Sequence, residues 1–422
     1  MIKERYNKYL NVLKSELIPA MGCTEPIALA YLASYTRDLL KGVPDEIEVM
    51  VSGNILKNVK SVVVPNTKGM KGIEAAIAAG VIAGNKDKVL EVIEDVKDED
   101  IDKIKDYLDS HIINVGISDS PYIFDIIMVF KKGHDTAYTR IVNSHTNIVH
   151  ASVNDEVLID KEIVNEDSHT EISMSVEEIF EFVNEVRIED IKDMLDKQIS
   201  CNMNIAEKGL NGDYGANIGK VLLKTYGDDI KIRAKAYAAA ASDARMNGCD
   251  LPVIIVSGSG NQGITASLPV VVWSNGIGAS MEDLYRALAL SDLVTIHLKS
   301  GIGRLSAFCG ATSAGVGAGA GIAYLETHDL ITICHTIVNA LAIVSGMVCD
   351  GAKASCAAKI QTAVDAGILG YYMYVNHQEF KDGDGLVLKG VENTISNISR
   401  LAKDGMKETD KEIIKMMIKK AK

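Results

Sequence analysis

Aromatic side chains are scarce in this chain, at 5% of 422 residues with a single Trp and 6 Phe. Its interior must therefore be closed by Ala, Val, Ile and Gly, small residues that let backbones approach closely. Proline is equally sparse, 7 residues against 35 Gly, which excludes a collagen-like or proline-rich architecture. Basic residues are in the minority: 44 Lys and Arg face 57 Asp and Glu, and the formal charge of −13 repels a nucleic-acid backbone and an anionic membrane surface alike. No nucleic-acid partner is expected. No C-x-x-C or C-x-x-H pair occurs, which argues against a structural zinc site. The 7 cysteines, odd in number and without repeated spacing, do not form the disulfide framework of a small secreted domain. The N-terminal MIKERYNKYL is charged throughout where a secretory leader would be apolar, so a cytoplasmic location is expected.

Two stretches without charge, Leu305 to Leu325 and Leu330 to Cys349, have about the twenty-residue length of a bilayer span. Gly, Ser and Thr crowd the first, and His335, Asn339 and two cysteines interrupt the second. Both read as buried helices, with no membrane partner, against the alternative of a transporter.

At the chain's start, residues 1–45 have helical spacing broken by Pro19 and by Met21-Gly22-Cys23-Thr24-Glu25-Pro26. Thr24 suits an N-cap and Pro26 an early helical position, which places Cys23 beside unbonded backbone N–H groups that favour a thiolate. From Glu46 the texture changes. Short β-branched segments are predicted as strands at Ile47–Ser52, Ser61–Val64, Ile112–Ile117, Tyr122–Phe130, Thr136–Asn143 and Ile148–Val153, with helical spacing at Gly72–Ala83 and Asp87–Leu108. Helical texture returns over Val176–Ile199, Ile232–Met246 and nearly everything after Met281. The class is α+β: a predominantly helical domain (1–45 and 176–422) carrying an inserted mixed α/β domain (46–175).

The segment Gly301–Gly321, GIGRLSAFCGATSAGVGAGAG, holds seven glycines in twenty-one positions. Tight helix packing and room for a bulky cofactor account for it equally well. Cys23, Cys309 and Cys349 each sit at a Gly-flanked break in helical texture, with Cys356 a fourth candidate, whereas Cys201, Cys249 and Cys334 look incidental. Three separated thiolates meeting in a fold suit an iron–sulfur cluster. Gly258-Ser259-Gly260-Asn261-Gln262-Gly263 matches the dinucleotide fingerprint, but Pro269 and the run Val270–Trp273 break the helix that should follow it. The same loop, with Ser257, Ser259 and Asn261, can instead cradle a carboxylate. Asn54, Lys57 and Asn58, read as a polar turn, form a second candidate cluster for a small anion, and His145 sits among polar neighbours in a turn between strands.

Together, MGCTEP, SGNILKN, SVVVPNTKG, SGSGNQG, RLSAFCGATSAG and GMVCDGAKASC resemble the L-cysteine desulfidases of the iron–sulfur L-serine dehydratase superfamily, from about Pro19 to about Ile360. The resemblance implies an oxygen-sensitive [4Fe-4S] cluster on three cysteines and a non-redox β-elimination of L-cysteine to pyruvate, ammonia and sulfide. Carried over, the metal ligands are Cys23, Cys309 and Cys349. Serine dehydratases use two nearby cysteines in the later segment, which makes Cys356 a rival to Cys23. No cysteine follows Cys356, so the open iron is left to substrate or solvent. The implied clamp is Ser257, Ser259 and Asn261 with Asn54, Lys57 and Asn58. Candidates for the base are Lys57, if burial discharges it, and His145, whose imidazole titrates near neutrality, with a substrate amino or thiolate group or a cluster-bound hydroxide as alternatives. L-Serine as substrate and a pyridoxal-phosphate lyase using Lys57 or Lys353 remain alternatives. Buried small-residue helices are compatible with a homodimer.

Overall fold

Helix α1 (Lys3–Glu16) leads through a three-residue strand, β1 (Pro19–Met21), into α2 (Thr24–Leu40). The computed structural model to which these elements belong describes residues 2–110, 112–163, 174–303 and 306–419. Strand β2 (Glu46–Val51) follows, buried on alternate residues Ile47, Val49 and Val51, as a half-covered strand requires. Next come α3 (Gly53–Val59), α4 (Gly72–Ala83), a 3-10 turn over Lys86–Glu91 and α5 (Asp98–Asp109). Strands β3 (Ile113–Ile117), β4 (Asp125–Lys132), β5 (Asp135–Val142), β6 (Ile148–Val153) and β7 (Glu156–Asp160) complete a six-stranded sheet. Its order is β3-β2-β4-β5-β6-β7, parallel between β2 and β3 and antiparallel elsewhere. Helix α2 packs against β4, β5 and α4, so the N-terminal segment divides: α1 lies among helices and α2 covers the sheet.

The remainder is helical: α6 (Val176–Glu185), α7 (Ile188–Asn211), α8 (Ile218–Tyr226), α9 (Ile230–Met246), then strand β8 (Pro252–Ile254) paired antiparallel with β1. After it come α10 (Gly260–Ile277), α11 (Met281–Ile302), α12 (Gly310–Thr327), α13 (Leu330–Val344), α14 (Cys356–Val375), α15 (Val391–Arg400) and α16 (Lys407–Lys419). The glycine-rich α12 is enclosed by α10, α11, α13 and α14. Gly319 shows why its residues are small: a Cβ there would stand 2.7 Å from Gly367 Cα of α14. Most of this glycine excess thus serves helix packing. The α+β class agrees with the sequence reading, and no helix among the described residues is long and apolar enough to cross a membrane. Leu305, where one uncharged stretch was set to begin, lies outside the described residues.

Several local expectations change. The polar turn of Asn54, Lys57 and Asn58 is helix α3, capped by Ser52, whose Oγ accepts from Ile55 N–H at 3.4 Å. Ser61–Val64 is no strand and makes one bridge, Val63 to Lys71. Val176–Ile199 breaks in two where Val186 turns extended. Helix α10 does follow the glycine loop and runs through Pro269, losing only the bond that proline cannot donate to Thr265. The strand before it pairs antiparallel with β1, so no βαβ dinucleotide unit forms. Strand β7 was not anticipated. It is an exposed edge strand with no apolar alternation to reveal it.

Candidate functional site

The N-terminal ends of α2, α10, α12 and α14 converge on one cavity of about 110 Å³. Four helix N-termini, the positive ends of their dipoles, border the same space, which favours anions there. Cys23, Cys309, Cys349 and Cys356 all line it. Cys23 is the N-cap residue of α2, and Cys309 that of α12. Cys349 is brought beside Cys309 by a short antiparallel contact: Cys309 N–H donates to Met347 O at 3.0 Å, Cys349 N–H to Ala307 O at 2.7 Å, and Phe308 bridges Val348. Beyond it, Gly351 takes a φ of 92° and presses on α3, where a Cβ would meet Lys57 O at 2.2 Å. No other residue fits that turn.

The thiols do not share one environment. Cys309 and Cys349 are hydrogen-bonded to each other; the pair yields one proton readily and holds the second tightly. Cys349 is lowered to about 5, first by the bond from Cys309, then by Lys57, Gly351 N–H and Lys299. That same bond, and burial, push Cys309 well up. Cys356 feels the charge of Cys349 and is raised by burial. Cys23 stands apart: its Sγ donates to Glu25 Oε2 at 3.0 Å, and burial first, then the Glu25 charge, raise it well above the usual thiol range. The thiolate expected for Cys23 from its helix end is thus overridden by burial first, with the carboxylate two residues away adding to it.

Asn58, His145, Ser257, Ser259 and Asn261 also line the cavity. Asn58 Nδ2 donates to Glu25 Oε1 at 3.0 Å, and His145 packs edge-on to Phe124 with centroids 4.9 Å apart. Two residues of the sequence-derived clamp do not reach it. Asn54 is buried outside the lining with its Oδ1 unbonded. The Lys57 ammonium, 1% exposed, is committed to Asp410 Oδ1 of α16 at 2.5 Å; it contributes its charge behind Cys349 instead of a free base or a substrate contact. Lys353 is likewise paired, to Asp350. Cys201, Cys249 and Cys334 lie away from the cavity.

Glu25, Arg245, Gln262 and Lys299 line the site without having been singled out from the sequence. Glu25 resembles any acid in a first helical turn. Arg245 did carry a signal, as a charge on the continuous buried stretch Ala238–Met246 of α9.

Among the described residues, no three His, Cys, Asp or Glu side chains are placed to hold a single metal ion. Sharing one ion requires donors to converge, whereas a cluster takes each thiolate on a different iron and lets the sulfurs stand apart. A cavity with four thiols, four helix ends and the cations Arg245 and Lys299, against Glu25 as the single acid among the described residues that line it and with Lys359 paired to Asp350, fits an anionic, thiolate-held group.

A family model described as serine dehydratase alpha chain matches residues 87–415. The chain belongs to that family. Among its relatives, a UPF0597 protein of Desulfitobacterium hafniense is 58% identical over 416 residues, 98% of this chain and 97% of that protein. One from Finegoldia magna is 51% identical, covering 98% and 99% respectively, and one from Treponema denticola 43%, covering 99% of each. The serine dehydratase alpha chain match includes Arg245, Cys309, Cys349 and Cys356 and begins after Cys23 and Glu25.

Proposed function

We propose that this serine dehydratase alpha chain relative is an iron–sulfur lyase that eliminates sulfide from L-cysteine, yielding pyruvate, ammonia and sulfide. The observation that carries the reading is the meeting of four cysteine thiols from separate segments in one electropositive cavity. Family membership supports the dehydratase-like lyase chemistry. The choice of cysteine is supported by the MGCTEP segment, which supplies Cys23, Thr24 and Glu25 to the lining.

A [4Fe-4S] cluster, when bound, supplies a Lewis-acidic iron with a coordination position for the departing sulfur. Cys309 and Cys349 are two of the thiolates to hold it; for the third place the resemblance implies Cys23, while the charge interaction of Cys356 with Cys349, and the bond from Cys23 to Glu25, favour Cys356. The chain's own groups do the rest. In the elimination the Cα proton leaves to a base as the Cβ–S bond breaks, and the resulting enamine, after tautomerising to an imine, adds water to give pyruvate and ammonia. Cys23 with Glu25, and His145, are the groups in the cavity able to hold that proton. Lys299 and the four helix ends counter the charge of thiolates and substrate.

Anaerobically purified protein should contain iron and acid-labile sulfide and turn over L-cysteine with a higher kcat/KM than L-serine. Faster serine turnover would convert the reading to L-serine dehydratase, the second activity open to this family. Absence of iron from active enzyme would end both.

A further inference from the structure

Arg245 closes α9 and is 2% exposed, yet the elimination above gives it no work. Of its five N–H donors one is committed, Nη1 to Asn261 Oδ1 at 3.0 Å. Its Nε is buried without a hydrogen-bond partner, against Gly260, where a Cβ would come within 2.4 Å of it. Among the described residues no carboxylate forms an ion pair with it. Glu25, which lines the same cavity, has its oxygens taken by Cys23, Thr24 and Asn58. A guanidinium does not shed its proton to escape burial; Glu25, Cys23 and Cys356 offset part of its charge from nearby without bonding to it, and its unbonded donors still carry the cost of burial. The cavity thus presents a preformed cationic fork with most of its donors unused.

We infer that Arg245 binds the α-carboxylate of the amino-acid substrate through a two-pronged, charge-assisted contact, and that Asn261 is the positioning residue that fixes the guanidinium plane. Planar guanidinium matches planar carboxylate with two parallel N–H···O bonds, a geometry that lysine cannot reproduce. Asn261, assigned to the clamp itself from sequence, has its carbonyl oxygen occupied by the arginine and acts through it. Ser257, held at a φ of 49°, and Ser259 line the cavity beside this pair and are placed to complete the carboxylate site. Amides, esters and decarboxylated amines lack the charge that this contact needs.

This inference rests on the amino-acid lyase reading but not on its leaving group, because cysteine and serine share the carboxylate. The test accordingly uses L-alanine, which has nothing to eliminate, and L-alaninamide, which lacks the charge, as equilibrium ligands of the holoenzyme. L-Alanine should bind about thirtyfold or more tightly than the amide, and Arg245→Lys should erase that preference while iron and acid-labile sulfide stay at wild-type levels. Asn261→Ala should weaken L-alanine by about tenfold without changing amide binding. Equal or absent binding of the two ligands to wild type, survival of the preference in Arg245→Lys, or loss of iron from that variant would each overturn the assignment, the last by giving the guanidinium to the cluster. The wild-type comparison stands even if Arg245→Lys folds poorly, and Arg245→Gln provides a second variant. Turnover of L-serine in place of L-cysteine would refute the desulfidase reading and leave this one intact.

Discussion

Cys23 and Cys309 face the same cavity from equivalent positions. Each is the N-cap residue of its helix, each lacks a side-chain capping bond, and they are 3% and 8% exposed. The field of a helix end therefore acts on both sulfurs alike, yet their chemistry diverges. Cys23 donates its proton to Glu25, and burial together with that carboxylate keeps it a thiol. Cys309 shares its proton with Cys349, and behind that pair stand Lys57 and Lys299, which favour a thiolate on this side. The immediate partner, more than the helix terminus, decides which sulfur is charged. On the proposed function, one wall ligates and the other holds a proton.

The strongest way to break this comparison is to remove one sulfur at a time. Cys309→Ser, Cys349→Ser and Cys356→Ser should each lose iron and acid-labile sulfide, with activity falling by about 10³-fold or more. Cys23→Ser should retain iron and lose turnover by about 10²- to 10⁴-fold, the range of a proton-transfer group. Metal analysis beside a turnover assay separates the two behaviours. Should Cys23→Ser lose its iron while Cys356→Ser keeps it, the walls exchange roles, and the ligand set implied by resemblance is the correct one.

The fold class and the convergence of the glycine-flanked cysteines were legible because both are local: periodicity marks helices and strands, and glycine marks the turns on which the thiols sit. What escaped depends on distant partners. Lys57 looked available, since nothing within α3 shows that Asp410, 353 residues later, returns on α16 to bind it. Glu25 could not be told from an ordinary first-turn acid until Asn58 and Cys23 were seen on its oxygens. Helix α10 was broken on paper by Pro269, but its burial among α7, α9, α11 and α12 outweighs one missing hydrogen bond.

The charge behind the ligating wall can be adjusted without touching a sulfur. Asp410→Asn leaves the Lys57 ammonium buried with its partner gone and should destabilise the protein by about 2–3 kcal/mol, since Asp410 keeps some contact with water. A urea melt would measure it, and Lys57→Met in the same background should recover part of the loss. An unchanged midpoint in Asp410→Asn would mean that α16 contributes little to holding α3 and the Gly351 turn against it.

A smaller effect tests the same rule far from the cavity. Asp292 of α11 is fully buried, and its pKa is pushed up to about 8 by desolvation, with Gln198 Nε2, 3.0 Å from Oδ1, opposing weakly. Among the described residues no cation attends it, so burial favours the protonated acid, the converse of Cys349. Its Oδ2 and Gln198 Oε1 are both buried and unbonded, and a proton on the first can be given to the second. Between about pH 4 and 8 the folded chain keeps this proton while the unfolded chain has lost it. The stabilisation is therefore complete below about pH 4 and drains by roughly 1.4 kcal/mol per pH unit as pH rises toward 8. Asp292→Asn needs no proton to fill the same hydrogen bonds, so its stability relative to wild type should rise by that slope between pH 5 and 8 in urea melts. A difference that stays constant across that range would show that Asp292 is ionised in the folded protein, and that a buried carboxylate here finds compensation without a cation.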